Sequence, residues 1–150
     1  MTRVQRIVIS LIIRSDLGVL LLQRGRPYAE FPPGDAGTQT GAGLWELPGG
    51  GVEFGEMPLE TGVREALEET GILVDERDLQ FVACCAYLLE TAECQSHRIH
   101  VIYEARLSTA PPVRHSEEHI AHKWMRNLAG VRKLRMVDEI REVVASHLPQ

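Results

Sequence analysis

The sequence predicts an α+β domain, a mixed β-sheet with two or three helices packed on it. Three observations carry that expectation. The runs "VQRIVISLIIR" and "GVLLLQRG" are nearly all apolar, as strands covered on both faces are. The stretch "HRIHVIYEARLS" alternates apolar and polar residues with a period of two. Helix signals are confined to residues 58–70, 127–134 and 136–148. At 150 residues, 44% hydrophobic and 25% charged, the chain is most simply one domain over residues 1–150, large enough for a sizeable core.

The first strand deserves a check against a secretion signal, because basic residues precede a short apolar run. That run, Ile7 to Ile13, ends in Arg14 with no small-residue cleavage site after it. It is also too short to cross a bilayer, so it reads as a strand turning at "SDLG" into the second. Cys84, Cys85 and Cys94 make an odd set with no disulfide framework, which fits a reducing, cytoplasmic compartment. A net charge of −5 argues against a nucleic-acid polymer as partner. It leaves a small anionic ligand open, since a bound cation inverts the local field. No membrane partner is expected.

Residues 25–43 are rich in glycine and proline and lack periodicity. Structureless connections beyond about 12–15 residues are uncommon in compact domains, so this one is a candidate lid, or else an insertion without a role. "LWEL" (Leu44–Leu47) follows as a short strand, then a turn at Pro48–Gly51. Residues 79–90 and 97–108 read as paired strands. In the second, Ile99, Val101, Tyr103, Ala105 and Leu107 form the face expected to be buried, and Arg98, His100, Glu104 and Arg106 the polar one. "HIAHKWM" gives a last strand, and Val137, Ile140, Val144 and Leu148 mark the apolar stripe of a final helix.

The helix at 58–70 is the unusual element. Pro58 suits the first helical position, and Gly71 suits the residue after the end, with Ile72 placed to touch Leu67 in a Schellman motif. Leu59, Val63, Ala66, Leu67 and Thr70 fall on one side, Glu65, Glu68 and Glu69 on the other. Gly62 near the border costs about 1 kcal/mol relative to alanine, which a close backbone approach would explain. Like charges at this spacing repel and raise one another's pKa. A hard divalent cation such as Mg²⁺ or Mn²⁺ would resolve the conflict; a merely solvated acidic face is the competing reading. Three neighbours favour the cation. Gly49, Gly50 and Gly51 permit close backbone approach, Glu56 suits the helix N-terminus, and Arg64 is a planar donor beside Glu65.

Residues 50–72 fit the pattern G-x5-E-x7-R-E-U-x-E-E-x-G-U, where U is a bulky apolar residue. Gly50, Glu56, Arg64, Glu65, Glu68, Glu69, Gly71 and Ile72 take the fixed places, and Ala66 is a small departure at the first apolar one. This resembles the Nudix box of the Nudix hydrolases. "LWELPGGGVEFGE" is similar to the family's lead-in to the box, and "SEEHIAHKWM" to its closing strand.

The resemblance implies a Nudix fold, an α/β/α sandwich, and metal-dependent hydrolysis of a nucleoside diphosphate linked to another group. By position it implies Glu65, Glu68 and Glu69 as ligands of Mg²⁺ or Mn²⁺, with the Gly50 carbonyl in addition, and Arg64 and Glu56 as the ion pair orienting them. Met57 stands where many members have a capping hydroxyl, a loss of about 1 kcal/mol. Glu65, Glu68 or a carboxylate outside the box would be general base. Glu118 matches the outside position, with Glu117 as neighbour, against the plainer reading of a solvated loop glutamate.

Substrate choice is less legible. Arg24, Arg26, Arg98, His100 and Arg106 are candidate phosphate contacts, each also readable as ordinary surface; Tyr28 and Trp45 are candidates for stacking on a base, Trp45 more simply as packing. Zinc at Cys94, His97 and His100 is disfavoured, since His97 and His100 fall on opposite faces of a strand. Cys84 and Cys85 also face opposite ways and read as small buried residues. The expected substrate is a nucleoside triphosphate cleaved to monophosphate and pyrophosphate, with ADP-ribose or a nucleotide sugar as the rival and a non-catalytic nucleotide-sensing domain as the alternative of another class. A homodimer is an open possibility implied by the resemblance.

Overall fold

A computed structural model of the chain describes residues 1–149. Its strands are β1 (Thr2–Ser15), β2 (Gly18–Arg24), β3 (Trp45–Glu46), β4 (Gly49–Gly51), β5 (Gln80–Glu90), β6 (Cys94–Arg106) and β7 (His119–Met125). The helices are α1 (Pro58–Thr70), α2 (Leu128–Arg132) and α3 (Asp138–Ala145). The sheet runs in the order β3-β2-β1-β6-β5, with β4 joined to β1 and β7 to β2.

β1 and β2 pair only next to their turn, Arg14 opposite Val19 and Ser15 opposite Gly18. Beyond it β1 continues in parallel register with β6, Thr2↔Cys94 through Arg14↔Arg106, and antiparallel to β4. β2 instead continues against β7 and β3. The hairpin therefore splays, and residues of β1, β2, β3 and β4 together line the cleft described below.

Helices cover both faces. Ile12, Ile102, Trp45 and Leu47 pack with Val131, Ile140 and Val144 of the two C-terminal helices. Leu11, Ile13, Leu20 and Ala105 pack with Ala66 of α1 and Ile72 just beyond it. Each fully buried leucine, isoleucine or valine among them contributes roughly 1.5–3 kcal/mol. Trp45 is thus packing, as its place in the sequence suggested. No helix among the described residues is long and apolar enough to cross a membrane.

Several sequence expectations need correction. The glycines expected as a turn form β4, with Val8↔Gly51, Ile9↔Gly50 and Ser10↔Gly49. The polar face of β6 is the better buried one: Arg98, His100 and Glu104 are buried, and Ile99, Val101 and Tyr103 only partly so. The period of two holds, but this face looks into the cleft, where Arg98 and Glu30 form a buried ion pair, and the buried carboxylate of Glu104 is met by the exposed Arg106 and by Arg14. Cys84 is exposed and Cys85 half-buried, because β5 is a sheet edge.

α1 is rotated from its expected setting. Leu67 is 48% exposed while Glu69 is buried. The cause is a contact line of small residues: a methyl group on Gly62 would lie 3.3 Å from Leu11 Cδ2 and 3.4 Å from Leu79 Cδ1. Gly62, Ala66 and Thr70 thus seat the helix close to the sheet and turn Glu69 inward. The end of the helix differs too. Gly71 takes φ +75°, a value that favours glycine, and donates to Leu67 O at 3.0 Å. The Ile72 N–H goes to the Thr70 hydroxyl at 3.1 Å, and the Ile72 side chain joins Ala66 in the core.

The connection at 25–43 is not structureless. It holds a 3-10 turn at Thr38–Thr40, and its Tyr28 and Phe31 pack with Leu44, Leu89 and Cys94.

Candidate active site

Arg64 is the centre of the acidic helix. Its Nε donates to Glu56 Oε2 at 2.7 Å and its Nη2 to Glu56 Oε1 at 2.9 Å, a two-point contact with one carboxylate. Nη1 reaches Glu65 Oε1 at 2.7 Å and Glu68 Oε2 at 3.2 Å, and Nη2 also reaches Gly51 O at 3.2 Å. Glu56 accepts further bonds from the Thr61 hydroxyl at 2.6 Å and the Glu53 amide at 3.2 Å. Arg64 and Thr61 hold its carboxyl down at about 2, and Arg64 is itself held more firmly protonated. Since the helix cap at Met57 makes no side-chain bond, Thr61 and Glu56 tie down the first turn instead.

The three glutamates do not share one solvent-facing stripe. Glu68 is exposed, Glu65 partly buried and Glu69 buried. Burial pushes the Glu65 carboxyl up despite the Arg64 contact, with Glu68 and Glu118 adding repulsion. Glu69 is raised well above the ordinary value by burial first and the charge of Glu46 next, although it accepts the Gly49 amide at 2.8 Å. Gly50 abuts Glu65 so closely that a methyl group there would fall 2.4 Å from Oε1. Among the described residues no three acidic, histidine or cysteine groups are already gathered as a metal cage; Glu65 is drawn to Arg64 and Glu69 to Gly49. The donor set nonetheless fits a hard divalent cation. It is all oxygen, and burial, the first cause of the upward shifts of Glu65 and Glu69, penalises their charged forms, a penalty that a bound cation would offset.

These residues line a cleft of 560 Å³ together with Arg24, Arg26, Arg98, His100 and Glu118, a size suited to a small ligand. Arg24 is buried and sits 3.3 Å from Glu46 and 3.5 Å from Glu118, so Glu118 is tied to the site rather than loose in its loop. Arg26 is exposed. Arg98 donates to Glu30 at 2.9 Å, and its Nε is buried without a partner. His100 shares hydrogen bonds with the Ser10 hydroxyl at 2.8 Å and the Tyr87 hydroxyl at 2.9 Å. Burial first, then Arg98, pushes it down to about 3, so it shapes the cleft wall as a neutral ring. His97 faces the other way, against Gln5.

Arg106 is not among the cleft residues and bonds Glu104 at 2.6 Å. Tyr28 has no face free for a base: the guanidinium of Arg24 lies 4.0 Å from its ring centre and that of Arg98 3.6 Å. Its hydroxyl donates to Glu46 at 2.8 Å. Burial opposes ionisation of Glu46, but His119, Arg24 and Tyr28 outweigh it and hold the carboxyl low. Glu46 and His119 are the residues that sequence reasoning passed over, each read only as part of a strand. The one available signal was their position, three residues before the glycines for Glu46 and directly after Glu118 for His119.

A family model described as the NUDIX domain matches residues 3–146. Over 62 residues the chain is 40% identical to the RNA pyrophosphohydrolase of Rhizobium meliloti (strain 1021), a match covering 39% of this chain and 37% of that protein. The similarity thus spans little more than a third of that relative's length. Among solved structures, a MutT NUDIX hydrolase from Burkholderia pseudomallei superposes with a TM-score of 0.70 at 23% identity, covering 97% of this chain and 98% of that one. The dihydroneopterin triphosphate pyrophosphohydrolase of E. coli gives 0.68 at 20% identity, covering 97% of each. At these identities the structural likeness is one of fold.

Proposed function

The chain belongs to the NUDIX domain family, and on that premise we propose that it hydrolyses a phosphoanhydride bond in a nucleotide, with a nucleoside triphosphate giving monophosphate and pyrophosphate. The observation that carries this reading is the composition of one cleft, where Glu65, Glu68, Glu69 and Glu118 stand beside Arg24, Arg26 and Arg98. A polyphosphate needs cationic contacts, and the carboxylates need a cation between themselves and those phosphates.

Glu65, Glu68 and Glu69, with the Gly50 carbonyl, would hold Mg²⁺ or Mn²⁺. Held there, the ion would supply charge neutralisation to the phosphates and would make a water more acidic. Arg64 fixes Glu65 and Glu68 from behind and is itself fixed by Glu56. Arg26 contacts phosphate oxygens. Water attacks phosphorus, the bridging P–O bond breaks toward pyrophosphate, and the proton goes to a cleft carboxylate. Glu68 and Glu118 are the best exposed of these, with side chains 58% and 45% accessible.

The similarity to an RNA pyrophosphohydrolase favours a second reading, in which the same bond is cut at the 5′-triphosphate of an RNA. The net charge of −5 weighs against an extended polymer contact. One experiment separates the cases: incubation with nucleoside triphosphates, 5′-triphosphorylated RNA and ADP-ribose, each with Mg²⁺ or Mn²⁺, followed by identification of products. Pyrophosphate with monophosphate supports the first reading, pyrophosphate with 5′-monophosphorylated RNA the second. AMP with ribose 5-phosphate would replace both, and no product from any substrate would refute the assignment.

A further inference from the structure

His119 sits at the start of β7 with a wholly inaccessible side chain, between the buried carboxylate of Glu69 and the partly buried one of Glu46, which belong to different elements. Its Nδ1 lies 3.8 Å from Glu69 Oε2 and its Nε2 3.5 Å from Glu46 Oε1. Among the described residues Nε2 has no hydrogen-bond partner within bonding distance, and the other neighbour of Nδ1 is the Ser116 hydroxyl at 3.4 Å. A buried ring nitrogen without a partner costs free energy whichever tautomer the ring adopts, so the ring is held by its surroundings, within a small displacement of both carboxylates.

The two carboxylates are anchored on their far sides. Glu69 Oε1 accepts the Gly49 amide at 2.8 Å, leaving Oε2 toward His119. Glu46 Oε2 accepts the Tyr28 hydroxyl at 2.8 Å, and its Oε1 accepts Arg24 Nη1 at 3.3 Å while also facing His119 Nε2 at 3.5 Å. The result is one line of polar groups from Tyr28, in the connection between β2 and β3, through Glu46 and His119 to Glu69 on α1. The charge of Glu46 disfavours ionisation of Glu69, and the imidazole is the group interposed between them.

We propose that His119 is a positioning residue for Glu69, holding its carboxylate in the orientation that a divalent cation requires, with Glu46 as the support behind the ring. This rests on the reading of Glu65, Glu68 and Glu69 as cation ligands. Groups that orient ligands from behind typically change metal affinity 10- to 100-fold when removed. The two ring nitrogens separate in mutation. Asparagine places an amide nitrogen near Nδ1, facing Glu69; glutamine places one near Nε2, facing Glu46.

The test is Mn²⁺ binding without nucleotide, by calorimetry on the full chain, for wild type, His119→Asn, His119→Gln and His119→Phe, each first checked for a native melting transition. The expected result is a Kd raised about 10- to 100-fold in His119→Phe and His119→Gln, and restored to within a few-fold of wild type in His119→Asn. A cooperative His119→Phe protein that binds Mn²⁺ as wild type does would overturn the proposal. Should His119→Phe not fold, equal Kd values for the asparagine and glutamine variants would overturn it as well. Wild type that binds no Mn²⁺ would instead remove the cation reading of the cleft, a different failure from a wild type that binds and a His119→Phe that matches it.

Discussion

The Arg64 guanidinium meets the Glu56 carboxylate edge to edge, Nε 2.7 Å from Oε2 and Nη2 2.9 Å from Oε1. The pair leaves Nη1 to hold Glu65 and Glu68. Glu56 therefore fixes, at one remove, two carboxylates of the cleft. Glu56→Gln breaks the two-point contact, and turnover is expected to fall roughly 10- to 100-fold. The pair also sets a pH window. The Glu56 carboxyl is lowered from 4.5 to about 2, so its stabilisation is complete above 4.5 and disappears as pH falls toward 2. The difference in Tm between wild type and Glu56→Gln should be widest near neutrality and close between those two values. A gap independent of pH would show that the pair does not contribute as an ion pair.

Gly50→Ala tests the packing of backbone on carboxylate. The added methyl would fall 2.4 Å from Glu65 Oε1 and 2.5 Å from its Cδ. Either Glu65 leaves Arg64 or β4 shifts away from β1. Activity and Mn²⁺ affinity are both expected to drop at least tenfold, with the melting transition still cooperative. Unchanged Mn²⁺ affinity would separate Gly50 from the ligand set.

Glu68 is exposed and, among the described residues, forms its ion pair with Arg64. Glu68→Gln should leave Tm within a few degrees of wild type and cut kcat by about a hundredfold or more. Turnover like that of wild type would remove Glu68 from the chemistry and leave Glu118 as the carboxylate to substitute next.

His100 supplies a pH dependence of the fold rather than of the site. Its ring is buried and pushed from 6.5 down to about 3, by burial first and by Arg98 next. A histidine depressed in this way is neutral when folded and takes up a proton when unfolded. Stability is therefore lost as pH falls from 6.5 toward 3, on the order of a few kcal/mol in total. His100→Asn, which offers an amide to Ser10, should flatten that part of the profile in chemical denaturation. An equally steep profile in the variant would place the acid sensitivity elsewhere.

Much of this was legible because it is local. The limits of α1 follow from Pro58 and Gly71, and the alternation of β6 from its own period; the pairing of Glu56 with Arg64 was implied by the resemblance of residues 50–72. What could not be read is set by long-range packing. Which side of β6 is inside depends on the connection at 25–43 folding over Arg98 through Tyr28 and Glu30, and a period of two does not say which face is covered. The inward turn of Glu69 depends on how closely Gly62 approaches Leu11, a contact 51 residues away along the chain. His119 meets Glu46 and Glu69 only because β7 pairs with β2 beside β3. No spacing in the sequence encodes that meeting.

Glu30 gives a test of whether the connection at 25–43 acts on the site. Its carboxylate is side-chain buried and accepts bonds from the Ser96 hydroxyl and from Arg98, the latter at 2.9 Å; Arg6 lies 3.9 Å away. Burial opposes the charge of Glu30, but Ser96 and Arg98 outweigh it and keep the carboxyl below its ordinary value. Arg98 in turn packs on Tyr28, whose hydroxyl holds Glu46. Removing one partner of such a buried pair costs about 3–5 kcal/mol when the other is left uncompensated, so Glu30→Ala should free this segment before the sheet. Amide hydrogen exchange is expected to quicken over residues 26–43 while β1 and β6 stay protected. Because Arg98 then stands unpaired in the cleft, KM for nucleotide should change more than kcat. If exchange rises equally across the sheet, Glu30 belongs to the global fold and the connection is no separate cover. If only kcat falls, its influence runs through Tyr28 and Glu46 to the carboxylates.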